Sequence, residues 1–245
     1  MCKQLNIKLC IIYITMSLNV QIPANIFQTW QTKKLPPQMF NAIRILKQQN
    51  PNFKYYLFDD NDCRLFISKH FEPNVLNAYD RLIPGAYKAD LWRYCILYKI
   101  GGIYLDIKYI PDNNFKFINL LTKEHFVLDC DGVGIYNAFM VCKSGNKILL
   151  TAINQIVKNV ENKFYGSSYL EPTGPLLLSK YFSQAEKMAL DMKHGLKKSG
   201  TDDSKYISYN NKNVIKCYSG YHNERCRYSE KKHYSQLWNE RNIYL

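Results

Sequence analysis

Three charged residues gather in one stretch of this 245-residue chain: Asp90, Arg93 and Asp106, within AYKADLWRYCILYKIGGIYLDIK, residues 86–108. Two carboxylates and a guanidinium at one edge of a sheet suit a site that holds a cation and a diphosphate. Divalent cations of the magnesium type take oxygen ligands, and the planar guanidinium fork matches carboxylate or phosphate. The same residues also fit a plainer reading. An Asp after a strand is often a turn residue, and Asp90 with Arg93 can be an ordinary surface ion pair.

The elements that must position these groups follow from spacing. Leu91, Tyr94, Cys95 and Tyr98 recur at helical intervals and form a core face. Ala86, Asp90, Arg93 and Leu97 form the adjoining stripe, so Asp90 and Arg93 are neighbours. Gly101 and Gly102 stop the helix. Ile103, Tyr104 and Leu105 are an unbroken apolar run, as expected of a strand covered on both faces. Asp106 then lies beyond the strand's carboxyl end, where open α/β sheets bind ligands.

Elsewhere the punctuation predicts a strand over Asn25–Trp30, a helix from Pro36-Pro37 to about Gln49, and a strand over Phe53–Phe58. Asp60 and Asp62 then cap a helix through LFISKHF. Further strands are predicted over His125–Leu128, Phe139–Cys142 and Val214–Tyr218. Helices are predicted over Ile148–Val160 and after Thr173-Gly174-Pro175. Asp129 and Asp131 sit in a turn-like DCDG, and Gln184–Ser204 reads as a surface excursion. Strands alternating with helices argue for a mainly parallel α/β sheet.

Composition bounds the rest. The length suits one large α/β domain or a domain with an appendage, here an apolar extension over 1–20 and a single domain over 21–245. The net charge of +13 favours anionic partners, and the 20 tyrosines combine apolar bulk with polar tips. The lysines are scattered rather than clustered, so no nucleic acid is expected as a partner. None of the eight cysteines forms a Cys-x-x-Cys pair. Cys95, Cys130 and Cys142 read as buried thiols, which points to a reducing compartment. Cys217, His222 and Cys226 match no standard zinc spacing. The apolar run over 9–20 is shorter than a membrane span. A soluble, cytoplasmic or host-cytoplasmic chain is the expectation, with a weak N-terminal anchor or membrane-surface association as the alternative.

Ile22–Trp30 (IPANIFQTW), the NPNFKYYLFDD segment, the ADLWRYCILYKIGGIYLD block and Thr173-Gly174-Pro175 together resemble glycosyltransferase family 32. That is the group with a DXD sugar-binding region, related to fungal Golgi mannosyltransferases and to bacterial or viral glycan transferases. The resemblance runs from about Ile22 to the C-terminus. It implies a GT-A fold with a mostly parallel central sheet flanked by helices. It also implies a GDP- or UDP-hexose donor, a glycan or glycoconjugate acceptor, and transfer with retention. On this likeness Asp90, Asp106 and Arg93 are the catalytic candidates. Gln28, Thr29, Trp30, Tyr87, Lys108, Gly174 and Trp238 are donor-binding candidates. His233, in the closing HYSQLW, is a candidate for the metal or a phosphate.

One position departs from the family. A DXD motif needs a second carboxylate at 108, and this chain has Lys108. An ammonium cannot ligate a metal. Either Mn2+ or Mg2+ is held by Asp106 with Asp129, Asp131 or His233, or Lys108 itself neutralises the diphosphate. Strand alternation would put Lys108 on the face of Asp106. Two other classes stay open: a non-catalytic carbohydrate- or nucleotide-binding relative, and a metal-dependent phosphotransferase or nuclease.

Overall fold

The computed structural model describes residues 21–197, 205–228 and 232–245. The predicted apolar extension over 1–20 lies outside the described residues. The central sheet is built as expected. Strand β1 (Asn25–Thr29) pairs in parallel with β2 (Lys54–Phe58) on one side and with β3 (Gly102–Leu105) on the other. An antiparallel strand, β6 (Phe139–Cys142), closes the far edge and gives the order β2-β1-β3-β6. All four residues of β3 and all four of β6 are buried, which is why their sequences are continuous apolar runs.

Helices cover this sheet. Helix α1 (Pro37–Gln49) begins with proline in its first turn, where a missing N–H costs nothing. Helix α2 (Asp60–His70) follows β2, and α3 (Pro73–Arg81) leads to α4 (Gly85–Ile100). Asp59, rather than Asp60, caps α2: its side chain accepts from the Asp62 backbone N–H, and the Asp62 side chain returns the bond to the Asp59 N–H. Helix α5 (Lys147–Glu161) packs on α4. Helix α4 is buried nearly all round, with Trp92, Leu91, Tyr94 and Cys95 in the largest core cluster. Its amphipathic stripe is therefore less sharp than the sequence suggests, and the polar Asp90 and Arg93 are buried with it.

A second sheet takes in the strands expected over His125–Leu128 and Val214–Tyr218 and adds three that were not legible in the sequence. It has the order β4-β9-β8-β7-β5. Its strands are β4 (Tyr109–Pro111), β5 (Val127–Leu128), β7 (Met192–Leu196), β8 (Lys205–Tyr209) and β9 (Lys212–Cys217). Only β5 and β7 pair in parallel. The expected surface excursion over Gln184–Ser204 therefore contains a short helix, Gln184–Met188, and then β7. Its Met192 is fully buried beside Ile207 and Ile215, which supplies the apolar contact that orders the segment. Cys130 is exposed, not buried as its neighbours suggested, because it sits on the turn after β5. Cys95 and Cys142 are buried as expected.

The chain enters β3 through two glycines with positive φ, Gly101 at 74° and Gly102 at 129°. A β-carbon on Gly102 would lie 2.8 Å from the Asn25 carbonyl oxygen in the neighbouring strand. Gly102→Ala should therefore destabilise the fold by about 1–3 kcal/mol through backbone strain, read as a lower urea midpoint. An unchanged midpoint would show that β1 and β3 can part at that end.

Candidate functional site

The carboxyl end of β3 carries a buried network of alternating charge. Arg93 is 5 % exposed, and its guanidinium is spent on protein groups. Its Nε donates to the Ala89 carbonyl at 3.2 Å and its Nη1 to the Asn137 carbonyl at 2.7 Å. Nη2 lies 3.3 Å from Asp90 Oδ1, and Nη1 lies 3.4 Å from Asp106 Oδ1. The guanidinium also stacks on Tyr104, 4.4 Å from the ring centre. Arg93 is thus a bridge between the two carboxylates, not an open phosphate ligand.

Asp90 accepts from Asn137 Nδ2 at 2.9 Å and from the Thr173 hydroxyl at 2.7 Å. Burial raises its pKa above the usual carboxylate value, against the pull of Arg93 and Thr173. Asp106 is the more open of the two. Burial alone would raise it, but Lys108 and Arg93 outweigh that and hold it below the usual range. Tyr104 donates to its Oδ1 at 2.8 Å, and Lys108 Nζ sits 2.5 Å from Oδ2. Asp106 in turn keeps the Lys108 ammonium charged, against burial.

Lys108 does meet Asp106, but not by strand alternation. The strand ends at Leu105, and residues 106–108 form a turn in which the Tyr109 N–H bonds the Asp106 carbonyl at 3.0 Å. The turn folds Lys108 back over its own neighbour. Its ammonium lies 5.0 Å from the Tyr109 ring centre and 5.6 Å from that of Tyr136. Tyr221, on helix α8 (Tyr221–Tyr228), and Tyr234, on α9 (Tyr234–Asn239), feel the charge of Lys108. Burial pushes both phenols up to about 12, so both are neutral hydrogen-bond donors near pH 7.

The other sequence candidates fall around this centre in different roles. Gln28 is fully buried; its Nε2 donates to the Asp106 carbonyl at 3.4 Å and its Oε1 accepts from Tyr55 at 2.9 Å. It therefore supports the Asp106 backbone. Thr29 bonds the Phe58 carbonyl at 2.9 Å, and Trp30 packs with Met39, Ile43 and Ile107. Tyr87 is buried and donates to the Tyr169 carbonyl at 2.6 Å. Trp238 Nε1 donates to the Tyr165 carbonyl at 2.7 Å. Gly174 comes close to the site: a β-carbon there would be 3.3 Å from Asp90 Oδ2. Two surface depressions, one beside Tyr165 and Arg241, the other beside Phe115 and Lys212, include none of the charged residues of the network.

The expected metal ligands are not brought together. His233 caps α9, with Nδ1 2.7 Å from the Ser235 hydroxyl. Asp131 accepts from the Val133 and Gly134 N–H groups inside its own turn. Asp129 pairs with His194. Among the described residues, the set of three ligand-type atoms lying within 4.8 Å of one another is Asp129, Cys130 and His194. Around Asp106 the donor set does not fit a magnesium-type cation, which wants about six oxygen ligands. One carboxylate is present, with Tyr104 on one oxygen and an ammonium on the other. Cys217, His222 and Cys226, which match no standard zinc spacing, form no ligand set among the described residues either; Cys217 is buried and Cys226 exposed.

Sequence reasoning missed Asn137, Tyr104 and Tyr136. Asn137 offers no local signal, since it acts across 47 residues on Asp90. Tyr104 was visible only as a core residue of β3.

Comparison with known proteins bears on the family and the fold. Residues 36–127 match the family model described as the glycosyltransferase sugar-binding region containing DXD motif. The chain is 34% identical to inositol phosphoceramide mannosyltransferase 3 of Schizosaccharomyces pombe over 170 residues, 68% of this chain and 46% of that one. It is 35% identical to the initiation-specific alpha-1,6-mannosyltransferase of Candida albicans over 91 residues, 35% of this chain and 24% of that one. The chain thus spans less than half the length of these relatives. A solved structure titled PaToxG Glycosyltransferase superposes with a TM-score of 0.51 at 16% identity, over 71% of this chain and 75% of that one. The fold resembles that of a glycosyltransferase, and the likeness to the DXD-containing sugar-binding region is carried by residues 36–127. Among the described residues no helix is long and apolar enough to cross a membrane.

The matched region contains Asp90, Arg93, Asp106 and Lys108 but stops before Thr173. Thr173 supports the ionised form of Asp90. Thr173→Val should cost about 1–3 kcal/mol at pH 7, the penalty of an unmet buried acceptor. Without the hydroxyl the folded-state pKa of Asp90 rises further. The loss is therefore full at neutral pH and shrinks as pH falls through the carboxylate range. Urea unfolding at several pH values reads it; a loss equal at all pH values would place the effect in packing alone.

Proposed function

We propose that this chain is a glycosyltransferase that moves a hexose of the mannose type from a nucleoside diphosphate sugar to a glycan or glycoconjugate acceptor. Retention at the anomeric carbon is implied by the family likeness. Residues 21–245 act as one domain in this reading. The observation that supports it most is the Asp106–Lys108 pair, exposed enough at the carboxyl end of β3 to meet a ligand and backed by Asp90 and Arg93.

The reaction breaks the bond between the anomeric carbon and a diphosphate oxygen and makes one to an acceptor hydroxyl oxygen. The acceptor proton ends on the departing phosphate or in solvent. Negative charge builds on the diphosphate, and a fixed cation there lowers the barrier. Lys108 supplies that cation in place of the metal that a second DXD carboxylate would hold. Tyr221 and Tyr234, as neutral phenols, donate to phosphate or sugar oxygens. Asp90 and Asp106 accept from sugar hydroxyls, and Arg93 keeps both carboxylates ionised and fixed. Two relatives carry mannosyltransferase names, one for inositol phosphoceramide and one initiation-specific and alpha-1,6, which supports mannose over other hexoses and leaves the acceptor class broad. The +13 charge suits an acceptor carrying phosphate or lying on an anionic surface.

Hydrolysis of GDP- and UDP-hexoses by purified protein, with a chelator and with added manganese, tests the proposal. Turnover of a mannose donor that survives chelation is the expected result. No turnover and no calorimetric binding of any donor would refute it. Lys108→Ala should lower turnover by about 10²–10³-fold, the scale of losing one charge-stabilising donor. Lys108→Asp should regain part of that only when manganese is present. Asp106→Asn should lose transfer and lower the unfolding free energy by about 3–5 kcal/mol, the cost of leaving a buried cation partly unmatched.

A further inference from the structure

Away from the Asp106 network, the turn that follows β5 faces strand β7. The parallel register pairs Val127 with Met192 and Leu128 with Lys193, so the next step sets Asp129 against His194. His194 Nδ1 lies 2.7 Å from Asp129 Oδ1. The Cys130 N–H donates to the same oxygen at 2.7 Å. The Asp129 carboxylate, the Cys130 thiol and the His194 imidazole each place an atom within 4.8 Å of the others.

We propose that Asp129, Cys130 and His194 form a site for a thiophilic divalent cation of the zinc type. The donor set is one thiolate, one imidazole and one carboxylate, which suits zinc and disfavours magnesium or manganese. Charge balances: a carboxylate and a thiolate neutralise the dication. Three protein ligands leave a fourth tetrahedral position for water.

The surroundings are those of a built site rather than a chance meeting. The His194 side chain is 4% exposed. Its ring lies flat against Tyr136, with centres 3.8 Å apart and planes at 4°. Gly134 packs against Asp129, where a β-carbon would lie 3.3 Å from the Asp129 β-carbon. Backbone bonds from Asp129 N to the Gly134 carbonyl and from Gly132 N to the Asp129 carbonyl hold the turn.

At present the carboxylate is served by protons that a metal would replace. On binding, the Cys130 thiol loses its proton to solvent, and the His194 proton moves from Nδ1 to Nε2 through solvent. Ligand atoms around a tetrahedral zinc at about 2.0–2.3 Å stand roughly 3.3 Å or more apart. Entry of the metal therefore parts Asp129 from His194 by roughly half an ångström, within the freedom of an exposed turn. The metal would also fix the His194 ring, and with it Tyr136, whose hydroxyl bonds Tyr109 at 2.7 Å beside Lys108. The site would thus tie the second sheet to the wall of the first.

Cobalt(II) is the probe. The full chain, stripped of metal and titrated with Co2+, should take one equivalent, show a thiolate-to-cobalt charge-transfer band, and lose it when Zn2+ is added. Cys130→Ser sits on an exposed turn and should fold normally without the band. His194→Gln should weaken binding at least about tenfold. Cys226→Ser removes the other described Cys–His contact, 3.6 Å from His222, and should leave the band intact. No band in the wild type, a band retained in Cys130→Ser, or a band lost in Cys226→Ser would each overturn the proposal. The readout is independent of sugar transfer.

Discussion

A guanidinium taken out of water needs a partner on every edge, and Arg93 meets that demand with two carboxylates, two carbonyls and the face of Tyr104. The rest of the site is arranged by this need. Helix α4 must lie against the carboxyl end of β3 for Arg93 to reach Asp106. The chain segment holding Asn137 must cross behind it so that its carbonyl can accept. Removing either carboxylate would leave a buried cation partly unmatched, which costs several kcal/mol. The four charges Asp90, Arg93, Asp106 and Lys108 sum to zero, so the network can be buried without a counterion from outside.

Lys108 changes the character of the sugar-binding region. A second carboxylate at that place would leave two like charges side by side and call for a dication. The ammonium closes the charge balance within the chain. It does so through a turn and not through strand geometry. A strand would have carried the side chain about two residue steps along the sheet face, and the turn instead returns it to Asp106. In the proposed site a carboxylate–ammonium pair thus stands where the family likeness leads one to expect two carboxylates.

Much of the central sheet was legible because its signals are local. The Gly101-Gly102 stop, the apolar run of β3 and the prolines before α1 each mark an element within a few residues. In the second sheet only the strands at Val127–Leu128 and Lys212–Cys217 carried such signals. Strand β7 reads MKHGL, with a histidine at its second buried position, and it is ordered by Met192 reaching a core made elsewhere. Asp90, Arg93 and Asp106 were found because they share one helix–strand unit. Asn137, Thr173 and the Asp129–His194 contact were not, because each pairs residues 47 or more positions apart. Gln28 was placed at the right strand end, but its burial beneath Asp106 makes it a support.

The burial of the charged network also separates two responses to ionic strength. Mobile ions screen exposed charges over about 10 Å at 0.1 M, but they cannot enter between groups as enclosed as Asp90 and Arg93. Salt therefore acts on the scattered surface lysines that draw an anion toward the protein, and leaves the Asp90–Arg93 contact unchanged. Added salt should slow the arrival of an anionic ligand far more than it loosens the frame around the site.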